Sequence, residues 1–133
     1  VESQVSLARP GLAGMQEISA MMNNLRQAPP TAVAGIPVEQ VTDIDSNLTY
    51  DPATGDVKSG PGLPKSNVII FSLADGSTVV ARPSGTEPKI KFYFMVVDKD
   101  TIPGSEEELL SDLLKCREKD KALQADWLRL VGE

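Results

Sequence analysis

Val68-Ile69-Ile70-Phe71-Ser72-Leu73-Ala74-Asp75-Gly76-Ser77-Thr78-Val79-Val80-Ala81-Arg82 holds two apolar runs around an Asp-Gly dipeptide. That dipeptide favours a two-residue turn whose twist matches the flanking strands, so the stretch reads as a β-hairpin. A third run, Lys89 to Val97, follows closely. Side chains alternate along a strand, which puts Ile90, Phe92, Phe94 and Val96 on one face. Lys89, Lys91, Tyr93 and Met95 then take the other face. Three strands in succession with short connections imply an antiparallel sheet. Phe92 and Phe94 anchor its apolar side, each worth roughly 1.5–3 kcal/mol by area burial.

Upstream, Leu12, Met15, Ile18, Met22 and Leu25 recur at three- and four-residue steps. The spacing predicts a helix from about Pro10 or Gly11 to Gln27, its apolar stripe serving as core packing rather than as a cofactor box. Ala28-Pro29-Pro30 ends it, because proline cannot continue the hydrogen-bond ladder. Ile36 to Asp45, with Val38, Val41 and Ile44, predicts a strand starting near Val38. Asp43 and Asp45 read as a solvated strand end, with a metal-binding pair as the less favoured reading. Ser46 to Ser66 is rich in turn signals and long for a loop in a compact domain. A short hairpin with Leu48–Tyr50 and Val57 as its arms would relieve that length.

Downstream, Ile102-Pro103-Gly104 breaks the chain, and Ser105 with Glu108 makes a capping box at a helix start. Leu109, Leu113, Cys116, Leu123, Trp127 and Leu130 trace its seam. Asp120 interrupts the seam, which predicts a bend or a lift of the helix there. The order helix, strand, loop, three strands, helix gives an α+β, two-layer fold, with a four-stranded antiparallel sheet and two helices on one face.

The chain has 133 residues, enough for one domain over 1–133 with a modest core. A net charge of −6 argues against nucleic acid as a partner. No stretch approaches the ~20 apolar residues of a membrane helix, and the start lacks a signal-peptide pattern. The absence of histidine excludes imidazole catalysis and His-ligated metal. The single cysteine, Cys116, suits a reducing, cytoplasmic setting and reads as a small apolar seam residue rather than a nucleophile. The chain opens without Met, which reads as a fragment of a longer protein or a processed product.

Between the second and third strands lies Arg82-Pro83-Ser84-Gly85-Thr86-Glu87-Pro88. Arg82 offers a planar fork of donors, Ser84 and Thr86 offer hydroxyls, and Lys91 adds charge on the same side. Gly85 allows a sharp turn in which successive N–H groups face one anion as a nest. The two prolines restrict the loop before any ligand arrives. Glu87 would repel a phosphate, so it is expected to point away or to pair with a lysine. Taken alone, Ser-Gly-Thr between prolines reads equally as an anion cradle and as a plain turn.

The longer string Arg82-Pro83-Ser84-Gly85-Thr86-Glu87-Pro88-Lys89-Ile90-Lys91-Phe92-Tyr93 closely resembles the phosphate-binding loop in the C-terminal domain of the α-D-phosphohexomutases, the phosphoglucomutase/phosphomannomutase superfamily. Gly62-Leu63-Pro64-Lys65-Ser66-Asn67, the Asp75-Gly76 turn and the terminal helical run look like its phosphoglucomutase branch. The resemblance implies a TATA-binding-protein-like domain. It implies that Arg82, Ser84, Gly85, Thr86 and Lys91 hold the non-transferred phosphate of a hexose phosphate or bisphosphate. It also implies a four-domain parent, in which preceding domains supply a phosphoserine and a Mg²⁺ loop for intramolecular phosphoryl transfer of the glucose 1-phosphate to glucose 6-phosphate type. This chain carries neither motif, so by itself it is expected to bind without catalysing. Lys91 stands where many superfamily members have arginine, keeping the charge but losing the bidentate fork. Two other readings follow from the residues: a stand-alone anion- or phosphopeptide-binding module, and a structural assembly domain that uses its helical seams.

Overall fold

A computed structural model describes residues 2–9, 11, 13–62, 64–97 and 106–131, with side chains of the last helix described from residue 114 onward. The elements are β1 (Glu2–Ala8), α1 (Gly14–Gln27), β2 (Ala32–Val33), β3 (Ile36–Asp43), β4 (Leu48–Tyr50), β5 (Val57–Ser59), β6 (Ile69–Leu73), β7 (Thr78–Pro83), β8 (Lys89–Met95) and α2 (Glu106–Leu130). Pro10 and Leu12 at the expected helix start lie outside the described residues, as do Ile102-Pro103-Gly104 and Ser105 of the capping box.

The fold is α+β, with an antiparallel sheet ordered β1-β8-β7-β6-β3-β4-β5 and β2 paired to the start of β3. Eight strands among the described residues replace the four expected. The additions are short or peripheral. β4 and β5 are three-residue arms within the long irregular stretch. β1 pairs along its whole length with β8, from Glu2 opposite Met95 to Ala8 opposite Lys89. Only Val5 and Leu7 mark its inward face, too little apolar alternation to announce a strand.

Both helices send side chains into one core. Ile18, Met22 and Leu25 of α1 meet Leu123 and Trp127 of α2 over Val41, Phe71, Phe92 and Phe94. Trp127 is fully buried, with the Phe71 ring centroid 4.9 Å away and that of Phe92 at 5.6 Å, both edge to face. Met15, expected in the stripe, is 42% exposed, and Met21 takes its place in the core. Ala28 closes α1 through its N–H to Asn24 O at 2.8 Å, ahead of the prolines.

Asp120 neither breaks the helix nor lifts it from the core. α2 runs unbroken, and Asp120 is buried against β1, accepting from Ser3 Oγ at 2.6 Å and Gln124 Nε2 at 3.1 Å. Buried polar groups are tolerated when hydrogen-bonded, and this cluster ties the first strand to the last helix. Asp43 is not a solvated end either. It is buried beside Arg26, whose Nε lies 3.0 Å from Asp43 Oδ2. Arg26 also donates through Nη2 to Asn67 Oδ1 at 2.5 Å, so one guanidinium fastens α1 to β3 and to the start of β6.

Turns are fixed by side chains. Asn47 adopts φ 55°, accepts from Gly60 N–H through its carbonyl at 2.9 Å, and accepts from Gly62 N–H through Oδ1 at 3.0 Å. That clasp gives the stretch after β5 a defined path. Ala34 (φ 50°) and Gly35 (φ 78°) make the β2–β3 turn, a left-handed pair that fits a type I′ hairpin. The Ala34 N–H donates to Asp126 Oδ2 at 2.6 Å; this bond first, and then Arg129, hold the Asp126 carboxyl below its ordinary 3.8. Burial alone would raise the pKa of Asp75. Hydrogen bonds from Lys119 and Ser77 outweigh it and draw the group below 3.8.

Candidate functional site

Arg82 and Pro83 end β7, and Lys89 begins β8. The register sets Arg82 directly opposite Lys91 and Pro83 opposite Ile90. Residues 84–88 therefore close a hairpin between two strands that each have a neighbour on both sides. Ile90, Phe92 and Phe94 face the helices, fully buried. The alternation leaves Lys89, Lys91 and Tyr93 on the sheet face that the helices do not cover.

On that face Arg82, Ser84, Gly85, Lys89, Lys91 and Tyr93 line a concavity of about 340 Å³, together with Pro83 and Glu87. Three cations and one carboxylate contribute to it. Arg82 and Lys91 are exposed, and no carboxylate of the described residues forms an ion pair with either. Glu87 pairs with Lys89, Oε2 to Nζ at 3.0 Å, as its charge requires.

The loop is held from within. Ser84 N–H donates to Lys89 O at 2.9 Å, and Lys89 N–H to Glu87 O at 2.8 Å. Ser84 Oγ accepts from Thr86 N–H at 3.4 Å and from Glu87 N–H at 3.2 Å. A hydroxyl has two acceptor sites and one proton, so accepting these two bonds leaves the Ser84 O–H able to donate. These inward bonds depart from the expected nest of backbone donors: two of its N–H groups point at Ser84 instead. The cradle in this state is one of side chains.

From behind, Arg9 N–H donates to Pro88 O at 2.8 Å, and Gly14 at the start of α1 packs against the same proline. A Cβ on Gly14 would lie 1.7 Å from Arg9 O and 2.8 Å from Pro88 Cβ. Glycine is thus required at 14 by space. At Gly85 the φ is not left-handed, and a Cβ there would meet nothing within 4 Å. The absent side chain leaves open room on the loop.

Of the residues singled out in the sequence, Arg82, Ser84, Gly85 and Lys91 come together on one concavity. Thr86 is exposed on the same loop but does not line it. Lys89, Tyr93 and Glu87 complete the lining. The period-2 pattern of β8 already placed Lys89 and Tyr93 on that side. Cys116 is half-buried and packs against the core, away from this face.

Among the described residues no group of three or more Cys, Asp or Glu side chains could hold a metal ion, and no helix is long and apolar enough to cross a membrane.

Comparison with known proteins shows the family. The family described as "Phosphoglucomutase/phosphomannomutase, C-terminal domain" matches residues 17–110, which include the loop and both its strands. A probable phosphomannomutase of Haemophilus influenzae is 35% identical over 100 residues, covering 75% of this chain and 17% of that protein. A phosphoglucomutase of Staphylococcus aureus is 41% identical over 83 residues, covering 62% of this chain and 15% of its own length. One from Staphylococcus haemolyticus is 39% identical over the same extent. The chain thus spans less than a fifth of these relatives. It belongs to the phosphoglucomutase/phosphomannomutase family, to which it corresponds as the C-terminal domain.

Proposed function

We propose that the chain is the phosphosugar-binding domain of a larger phosphohexomutase, and that the concavity of β7 and β8 holds the phosphate of the hexose phosphate that is not being transferred. The observation that carries this reading is the convergence of Arg82, Ser84 and Lys91 on one open concavity, with neither cation neutralised by a carboxylate. Arg82 supplies a bidentate fork, Ser84 a free O–H, and Lys91 a point charge. Gly85 lets the group approach the backbone, and Thr86 offers a further hydroxyl from the same loop.

Fixing a dianion at one end orients the rest of the substrate, so its other end meets the reacting group in line. On this reading the preceding domains of a four-domain parent, in the cytoplasm, carry the phosphoserine and Mg²⁺, which supply the phosphoryl group and neutralise its charge. The described residues here offer no cluster suited to that ion. The chain alone binds and does not isomerise.

Titration of the chain with glucose 1-phosphate and glucose 6-phosphate, followed by backbone amide shifts, tests the reading. Shifts centred on Arg82–Lys91 and abolished by Arg82→Ala are expected. Shifts that avoid the loop, persist unchanged in Arg82→Ala, or are matched by tighter binding of a phosphopeptide overturn it.

A further inference from the structure

The concavity is larger than a phosphate needs. Its volume of about 340 Å³ falls within the roughly 300–1,000 Å³ of whole small-molecule sites. Two of its lining side chains, Tyr93 and Glu87, add no positive charge: one brings a large aromatic face and the other repels an anion. We propose that Tyr93 forms a second subsite beside the phosphate cradle, one that takes the uncharged, hydroxyl-bearing ring of a sugar phosphate, while Glu87, at the loop end of the lining, disfavours compact polyanions. This rests on the phosphosugar reading above and names what lies next to the phosphate.

Tyr93 follows Lys91 by two residues on β8, so its side chain leaves the same face roughly 7 Å further along the strand. A sugar ring esterified to a phosphate held at Lys91 and Arg82 reaches that far. Tyr93 stands opposite Val80 of β7, and Val80 opposite Ile70 of β6, all three half-buried on the uncovered face. Tyr93 thus ends a row of apolar positions on that face and lines the concavity from it. Aromatic faces pack against the apolar side of a sugar ring, and the hydroxyl hydrogen-bonds its edge.

Glu87 sits at the other side of the lining, paired to Lys89 and about half exposed. An ionised carboxylate only accepts hydrogen bonds, so it repels a second phosphate. By occupying Lys89 it also lowers the positive charge beyond Arg82 and Lys91.

The test measures binding of inorganic phosphate, pyrophosphate and glucose 6-phosphate to the chain, to Arg82→Ala and to three further variants, with amide spectra confirming the fold. Tyr93→Ala, and Tyr93→Leu as an apolar strand-compatible substitute, are expected to weaken glucose 6-phosphate about three- to tenfold. Inorganic phosphate should be unchanged. Glu87→Gln is expected to strengthen pyrophosphate by about threefold or more while leaving glucose 6-phosphate nearly unchanged. Equal effects of the Tyr93 variants on phosphate and sugar phosphate, or none on either, overturn the subsite while leaving the phosphate cradle standing. Failure of inorganic phosphate to bind in an Arg82-dependent way overturns both readings.

Discussion

Arg82 and Lys91 stand directly across from one another on adjacent antiparallel strands, two like charges in one cross-strand pair. Such a pairing is destabilising by roughly 0.2–1 kcal/mol relative to a neutral one. Lys91→Thr is therefore expected to stabilise the fold by about that amount while removing its response to phosphate. Thermal unfolding with and without phosphate measures both effects. In the wild-type chain, phosphate at a hundred times its dissociation constant should add roughly 2.7 kcal/mol. An undiminished response to phosphate in Lys91→Thr contradicts the assignment of this pair to ligand binding.

Gly14 and Pro88 couple the first helix to the loop through space with no room for a methyl group. Gly14→Ala must push apart Arg9 and Pro88, and overpacking of this kind costs typically about 1–3 kcal/mol. Urea unfolding should register that loss. Amide shifts in the variant should spread to residues 84–88, since Arg9 also holds the Pro88 carbonyl.

Arg26 and Asp43 form a largely buried ion pair. Asp43→Ala leaves the guanidinium with only Asn67 and is expected to cost roughly 1–3 kcal/mol, the penalty of an unsatisfied buried polar group. The double change Arg26→Leu with Asp43→Ala should recover part of it, a coupling that chemical denaturation of the four proteins in the cycle measures.

Acid should loosen both turns that lean on α2. The folded-state pKa values of Asp75 and Asp126 lie below the ordinary 3.8, so each carboxylate contributes stability that is present above 3.8 and lost as pH falls through the lower folded value. Unfolding midpoints should decline below about pH 4. Asp126→Asn should lower stability at pH 7 and flatten part of that decline, because the Ala34 N–H then loses its charged acceptor. A slope identical to wild type would show that this contact carries no linkage.

The central hairpins were legible in the sequence because their signals are local. An Asp-Gly turn and strict alternation in β8 need no knowledge of a partner, and Phe92 and Phe94 fell on the buried side as read. β1 was not legible: an edge strand with two apolar residues exists only because β8 offers it a ladder. Asp120 and Asp43 were misread for the same reason. A carboxylate in an apolar pattern looks solvated until its distant partners, Ser3 and Arg26, come into view. In the loop the residue types suggested donors for an anion, yet the inward turn of the Thr86 and Glu87 amides depends on Ser84 rotamer geometry, which no spacing encodes.

The strand that bears Lys89, Lys91 and Tyr93 also supplies Ile90, Phe92 and Phe94 to the interior. Sliding it by a single position would drive the lysines inward and turn three apolar side chains out to water. The spacing of the charges is thus policed by the oil beneath them. Substitutions can alter what the surface grips, but they cannot shift where it grips without unmaking the domain.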